Sequence, residues 1–260
     1  MARREIQDCC AIVTGASSGI GRAIARQLAR QGVDLVITAR REERLKELAS
    51  EISSEGRRAI VVVGDVTEEA VRQQLLESAL QLGGLDILVN NAGVGAIGPF
   101  ATADQLRLRR IMEVNFFAPA ELMRAALPQL KKSQRPYIVN ICSVLGHRGV
   151  PSKSEYCASK FALHGLSDAV RAELAKEGVP LLLVNPSTTS SEFFDNLIEN
   201  EGGVWWSQFG AMPPEKVAQK TIRAMCRGKH EIIFSPGGNF LVWMDRLAPR
   251  LSNWIVAKFG

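Results

Sequence analysis

The chain has 260 residues, a length suited to one large α/β domain. Apolar residues make up 46% and charged residues 23%, an ordinary globular composition that excludes a disordered or fibrous chain. The formal charge of +5 comes from basic residues interleaved with acids, as in Arg40-Arg41-Glu42-Glu43-Arg44; this reads as a solvated helix face, and no nucleic-acid partner is expected.

Strand-like and helix-like segments alternate from end to end. An apolar run over 9–14 ends in Gly15, and 20–30 follows with Ile20, Ala23, Ile24 and Leu28 at helical spacing. Then come a strand over 33–38, a charged helix over 42–55, a strand over 59–63, a helix over 68–81 and a strand over 85–89. The second half continues with a helix over 103–130, a strand over 137–143, a helix over 154–177, a strand over 180–185, a helix over 215–227 and a short strand over 231–234. Short apolar strands between amphipathic helices predict a doubly wound parallel sheet covered on both faces, with right-handed crossovers. No linker or repeat divides the chain, so a single domain is expected. Its main body is 1–237, and 238–260 is an amphipathic extension.

Cys9, Cys10, Cys142, Cys157 and Cys226 show no metal-ligand spacing, and their odd number argues against a closed disulfide framework. No metal is expected, and the default is a reducing, cytoplasmic setting. The 9–13 run is too short for a signal-peptide core, and no apolar stretch is long enough to span a bilayer.

Thr14-Gly15-Ala16-Ser17-Ser18-Gly19-Ile20-Gly21 stands where the first strand turns into the first helix. Glycines there allow a tight turn and bring backbone N–H groups to a pyrophosphate at the helix N-terminus. NAD-binding proteins of this architecture place an acid about 20 residues later for the ribose 2′-hydroxyl. Here the second strand ends in Thr38-Ala39-Arg40-Arg41, and Asp34 is at its wrong end. Arg40 can pair with a 2′-phosphate, so NADP(H) is preferred; alternatively Arg40 only opens the next helix. At the third strand end, Asp65-Val66 offers a carboxylate for an adenine amino group, or a turn residue. The fourth ends in Asn90-Asn91-Ala92-Gly93, where small residues let backbone approach a ligand.

The fifth strand delivers Asn140-Ile141-Cys142-Ser143, and Tyr156 and Lys160 follow at i, i+4 on one face of a helix. A cation beside a phenol favours the phenolate and lowers its pKa, and Ser143 can hold a substrate oxygen. The bland alternative is an exposed tyrosine and a solvated lysine.

These motifs together resemble the short-chain dehydrogenase/reductase family, from about Cys9 to Asn185 and more loosely beyond. The resemblance rests on Thr-Gly-x-x-x-Gly-x-Gly (14–21), Asn-Asn-Ala-Gly (90–93), Ser143 and Tyr-x-x-x-Lys (156–160), in family order. It implies a Rossmann-type fold of about seven parallel strands and a hydride transfer between carbonyl and alcohol. In it Tyr156 is the general acid/base, Ser143 orients the carbonyl, and Lys160 holds the nicotinamide ribose and lowers the Tyr156 pKa. Asn115 matches the family's structural asparagine, which supports a water chain to the lysine. By the same resemblance the cofactor contacts are Gly15, Ser17, Ser18, Gly19, Ile20, Gly21, Arg40, Asp65, Val66, Asn91, Gly93, Tyr156, Lys160, Pro186 and Thr189. One departure stands out: the family usually carries Pro-Gly after the sixth strand, where this chain has Pro186-Ser187.

The resemblance places substrate contacts at Ser143, Leu145, Tyr156 and Phe193, with His147 read as an ordinary surface histidine. Phe193, Phe194, Trp205, Trp206 and Phe209 lie on a glycine-bearing insert at about 188–212, read either as a lid over an apolar pocket or as plain packing. Ser235-Pro236-Gly237-Gly238 should break the chain, and Pro249 should divide the amphipathic tail. That tail is expected to cover a subunit interface, in a homodimer or homotetramer, or the chain's own core; peripheral membrane contact ranks below these. Beside the leading reading stand a catalytically silent NADP-binding sensor and a 3-oxoacyl-[acyl-carrier-protein] reductase.

Overall fold

Seven apolar runs become strands: β1 (Cys10–Thr14), β2 (Asp34–Ala39), β3 (Ala59–Val63), β4 (Ile87–Asn90), β5 (Tyr137–Ile141), β6 (Leu181–Asn185) and β7 (Glu231–Ile233). The computed structural model describes residues 5–201 and 211–259. All strand pairs are parallel, in the order β3-β2-β1-β4-β5-β6-β7. Strand order therefore reverses between β1 and β4, and the crevice beyond their carboxyl ends is where such sheets take ligands. The expected doubly wound, single-domain architecture is the one observed.

Alternation along each strand feeds two apolar layers. Ala11 and Val13 of β1 pack with α1 (Gly19–Ala29), α2 (Glu42–Ser54) and α7 (Pro214–Cys226) through Ile24, Leu28, Leu48 and Met225. Cys10 and Ile12 face the opposite layer, where α3 (Glu69–Gln81), α5 (Ala118–Leu130) and α6 (Ser154–Ala175) supply Leu75, Leu122 and Leu174. The N-caps of α1, α2, α3 and α6 make no side-chain capping bond. A cap contributes roughly 1 kcal/mol, whereas one fully buried leucine or isoleucine contributes about 1.5–3 kcal/mol. Packing, not capping, holds these helices. All five cysteines are buried and form no disulfide, and burial pushes the Cys9 and Cys10 thiols up to about 11 and about 12.

Two expected elements differ in detail. The single helix over 103–130 is instead α4 (Arg107–Met112), a π-helical turn (Glu113–Phe117) and α5. Pro119 has no N–H for the Asn115 carbonyl, so the α ladder fails there and the wider turn faces Asn115 inward, 1% exposed. At the other end, Ser235-Pro236-Gly237-Gly238 does not break the chain but starts a helix. The Ser235 hydroxyl accepts from Gly238 N at 2.9 Å, and Pro236 takes the first position of α8 (Pro236–Leu247). Pro249 does divide the tail, opening α9 (Pro249–Phe259). Self-covering is only partial: Val242 and Ser252 are buried, but Phe240, Trp243, Leu247, Leu251 and Trp254 are 51–78% exposed. No helix among the described residues is long and apolar enough to cross a membrane.

One buried ion pair fixes α6 relative to α4. Arg107, 1% exposed, donates to Glu155 Oε1 through Nε at 3.0 Å and Nη2 at 2.7 Å, and its Nη1 lies 3.3 Å from Glu199. Burial would raise the Glu155 carboxyl, but its bonds from Ser154 and Arg107 hold it below the ordinary 4.5. Removing one partner strands a buried charge at a cost of about 3–5 kcal/mol. Arg107→Met or Glu155→Gln should therefore lower unfolding stability by about that amount in denaturant titrations. Because the folded carboxyl titrates below 4.5, the wild-type advantage should be intact above that pH and fade as pH falls through the folded value.

Candidate active site

The glycine-rich turn is shaped first by its own neighbours. Gly15 has φ +65°, and a Cβ there would sit 2.9 Å from the Asn91 amide nitrogen. A Cβ on Gly21 would approach Asn91 Nδ2 and the Gly15 carbonyl to 2.4 Å each. Asn91 fills that space and donates to the Thr14 and Gly15 carbonyls at 2.9 and 3.2 Å. Thr14 Oγ1 in turn accepts from the backbone N–H groups of Asn91 and Ala92 at 2.9 and 3.0 Å. Gly15 and Gly21 thus let β1 and α1 close onto the end of β4. Gly19, φ +54°, is capped by Ser191 at 3.1 Å from where its Cβ would be.

The basic end of the turn belongs to Arg41 rather than Arg40. Arg40 points outward and is exposed. Arg41, in an extended conformation just ahead of α2, folds back over the turn and donates to Ser17 Oγ at 3.0 Å and Ser18 Oγ at 2.6 Å. Its Nη1 also meets Glu192 at 2.7 Å, and Arg44 meets the other oxygen of that carboxylate at 3.0 Å. The Arg-Arg pair is visible in the sequence; which member faces the turn depends on where β2 ends. Asp34, at the far end, is engaged by Arg57 and Arg58 at 2.9 and 2.7 Å. Asp65 closes a turn on Thr67, accepting from its N and Oγ1 at 3.0 and 2.9 Å, and the Val66 side chain joins the apolar core.

Asn115 joins the two halves of the cleft. Its Oδ1 accepts from Val94 N and its Nδ2 donates to Val94 O, both at 2.9 Å, so it pairs with that backbone as a strand would. The same Nδ2 donates to Ser159 Oγ at 2.9 Å on α6. A Cβ on Gly93 would stand 3.3 Å from Asn115 Oδ1 and 3.7 Å from Lys160 Nζ, which places both polar atoms beside a bare stretch of backbone. Deeper, Asn90 donates to Asn140 and Asn140 to Ser167 at 2.9 and 3.0 Å, a buried amide chain that no local spacing announces.

Ser143, Tyr156 and Lys160 come together at this edge. Ser143 Oγ accepts from Leu145 N at 3.1 Å, capping a short turn (Val144–Gly146), and shares a hydrogen bond with the Tyr156 hydroxyl. Lys160 is buried, its Nζ 5.7 Å from the Tyr156 ring centre and donating to the Ile141 carbonyl at 3.1 Å. The expected lowering of the tyrosine pKa by this lysine is not found in the protein by itself. Burial pushes the Tyr156 phenol well above the ordinary tyrosine range, with only the Ser143 bond working against it. Burial also pushes the Lys160 ammonium down. The physical reason is burial, which disfavours the charged form of both groups, while Lys160 Nζ lies against the Ile141 carbonyl.

The segment after β6 covers the tyrosine. Phe193 meets the Tyr156 ring edge-on at 5.7 Å between centres, and Phe194 packs on Phe193 at 5.6 Å. Backbone bonds stitch this segment to the loop after β4, from Ile198 N to Gly95 O and from Ile97 N to Glu199 O, each 2.9 Å. Pro186 O accepts from Val144 N at 3.1 Å, and Thr189 bridges to Met212. Trp205, Trp206 and Phe209, with Gly202 and Gly203, lie outside the described residues. Leu145 is half-buried beside Ser143. His147 is not a surface histidine: its side chain is 4% exposed, against Glu231.

The chain contains two tyrosines, so Tyr137→Phe leaves Tyr156 as the sole phenol. An ultraviolet difference titration of that variant should show a phenol titrating above ordinary tyrosine, hence protonated at neutral pH; a midpoint at or below the ordinary value contradicts the effect assigned to burial.

A family model described as short chain dehydrogenase matches residues 9–202. The uncharacterized oxidoreductase YxnA of Bacillus subtilis is 32% identical over 262 residues, covering 98% of this chain and 73% of that protein. Dehydrogenase/reductase SDR family member 7B of Xenopus tropicalis is also 32% identical, over 95% of this chain and 84% of its own length. Among solved structures, a short chain dehydrogenase/reductase from Burkholderia phymatum in complex with NAD superposes with a TM-score of 0.86 at 28% identity, covering 95% of this chain and 96% of that one. A short chain dehydrogenase from Burkholderia cenocepacia in complex with NADP gives 0.81 at 25% identity, covering 97% and 99%. With its parallel sheet, its glycine turn and its serine, tyrosine and lysine at one strand edge, the chain belongs to the short-chain dehydrogenase/reductase family of oxidoreductases.

Proposed function

We propose that the protein is an NADP(H)-dependent oxidoreductase that moves a hydride between the nicotinamide and a carbonyl or secondary alcohol carbon of an apolar substrate. The observation that carries this reading is the convergence of Ser143, Tyr156 and Lys160 beside Asn115 at the carboxyl edge of the sheet.

The cleft fits a dinucleotide. Bare backbone at Gly93 beside Asn115 Oδ1 and Lys160 Nζ leaves room that a side chain would fill, and a guanidinium overhangs the serines of the turn. Ser17, Ser18, Gly19 and Ile20 would hold the pyrophosphate and Asp65 the adenine, with Lys160 on the nicotinamide ribose. Asn91, Pro186 and Thr189 would form the cleft walls. When bound, the nicotinamide supplies or accepts the hydride. Ser143 holds the substrate oxygen, and Tyr156, protonated at neutral pH, gives its proton to the developing alkoxide in reduction and takes it back in oxidation. Phe193 lies against the Tyr156 ring, so it excludes water there and presents an apolar surface to the substrate.

The preference for NADP(H) is supported by Arg41, just beyond β2, and Arg44, in the first turn of α2, while β2 itself ends in Thr38-Ala39 with no acid for a ribose 2′-hydroxyl. A 2′-phosphate would compete with Glu192 for the Arg41 guanidinium. The solved relatives carry NAD in one case and NADP in the other, so the preference rests on these side chains.

Tyr156→Phe should retain NADPH binding and lose turnover by about 10²–10⁴-fold in a carbonyl screen followed by NADPH absorbance. Undiminished turnover would overturn the assigned mechanism. A wild-type enzyme silent across a broad panel, yet binding NADPH tightly, would favour a sensor. Arg41→Ala should weaken NADPH binding by about 10- to 100-fold and leave NADH nearly unchanged, since a charge-assisted bond contributes about 1.5–3 kcal/mol. Glu192→Gln should shift NADPH affinity the opposite way.

A further inference from the structure

Outside the cleft, two of the three histidines of the chain meet one carboxylate. His147 follows the turn that begins at Ser143, His164 lies on α6, and Glu231 opens β7. The imidazole rings are edge-to-face with centres 4.3 Å apart. One ligand atom from each of His147, His164 and Glu231 lies within 4.8 Å of the other two. We propose that this cluster is a binding site for a divalent transition-metal ion, Zn²⁺ foremost, built from His147 Nε2, His164 Nδ1 and a Glu231 carboxylate oxygen.

Two observations converge on it. First, His147 Nε2 and His164 Nδ1 are both buried, and their residues stand together with the Glu231 carboxylate. His147 Nε2 lies 2.9 Å from Glu231 Oε1, close enough for both atoms to hold one ion. Second, outer partners already orient the ligands. The other ring nitrogen of His164, Nε2, faces Asp168 Oδ2 at 3.3 Å, leaving Nδ1 for the ion, and Asn185 Nδ2 donates to Glu231 Oε1 at 2.7 Å. A carboxylate behind a ligating imidazole is the usual support of a metal site. The nearby Arg171 is engaged by Asp168 and the Leu181 carbonyl at 2.8 and 3.3 Å.

Two imidazoles and a carboxylate with a water in the fourth position is a set that Zn²⁺ accepts, with bonds of about 2.0–2.2 Å. Such a set brings ligand atoms to roughly 3.3 Å from one another, so the present spread closes with side-chain movements of about 1 Å. The role is structural. The ion would tie the turn after Ser143 to α6 and β7, bracing the strand end that carries the serine.

The test is calorimetric titration of the tag-free, chelator-treated full chain with ZnCl₂ near neutral pH, paired with visible absorption on Co²⁺ loading. One ion per chain with micromolar or tighter affinity is expected, with cobalt bands of nitrogen and oxygen ligation. The five buried thiols make sulfur ligation a clear contrary signature. His164→Ala and Glu231→Gln should abolish this binding. Asp168→Asn, at a half-exposed position that should fold normally, should weaken it by about 10- to 100-fold. His230→Ala, at an exposed histidine outside the cluster, should leave it unchanged. Absence of binding, sulfur-to-metal bands, or affinity unaltered in His164→Ala and Glu231→Gln would each overturn the proposal.

Discussion

Asn115 is the constraint on which the cleft depends. A buried primary amide has to satisfy both its carbonyl and its amino group, and this one does so with the Val94 backbone and the Ser159 hydroxyl. Those partners belong to the loop that follows β4 and to the helix that bears Tyr156 and Lys160. A single side chain therefore sets the distance between the half of the molecule that carries the glycine turn and the half that carries Tyr156 and Lys160. The π-helical turn that faces Asn115 inward follows from Pro119, which withholds the N–H that a regular α turn would need.

Other polar contacts reinforce the same junction from both sides. The Thr14 hydroxyl and Asn91 amide lock the glycine turn to the end of β4, and the Arg107–Glu155 pair pins the start of α6. In each case a buried polar group is paired with one distant in sequence, so the apolar layers supply cohesion while these contacts supply registration. The electrostatics of the cleft follow from the same burial. Burial pushes the Tyr156 phenol up and the Lys160 ammonium down. The segment after β6 adds a second constraint. Through Glu192 it rests on Arg41 and Arg44, and through Phe193 on Tyr156, linking the basic end of the cleft to the start of α6.

Much of this is legible in the amino-acid sequence. The strand and helix alternation, the parallel sheet, the glycine turn and the Tyr156–Lys160 spacing follow from local patterns, because periodicity and turn chemistry act over a few residues, whereas the meeting of Ser143 with that pair is what the family resemblance implies. Asn115 stands out through family resemblance, not through its own surroundings. A continuous helix over 103–130 is the wrong expectation because hydrophobic spacing does not register a single missing N–H. Arg40 and Arg41 cannot be ranked by pattern, because two adjacent identical residues differ only in the direction the backbone sends them. His147 reads as a surface residue because its burial against Glu231 depends on a contact across 84 positions.

What the sequence determined by itself is the order of elements, the sheet type and the residue kinds at each strand end, all consequences of short-range propensity and alternation. Tertiary structure alone decided which arginine overhangs the glycine turn, how burial shifts the tyrosine and lysine, and which histidines stand together. These depend on desolvation and on contacts between residues far apart in the chain, and neither is encoded in local spacing. The division shows most plainly at Glu231, an ordinary residue on a short edge strand until β7 settles beside β6 and brings it to Asn185 and His147.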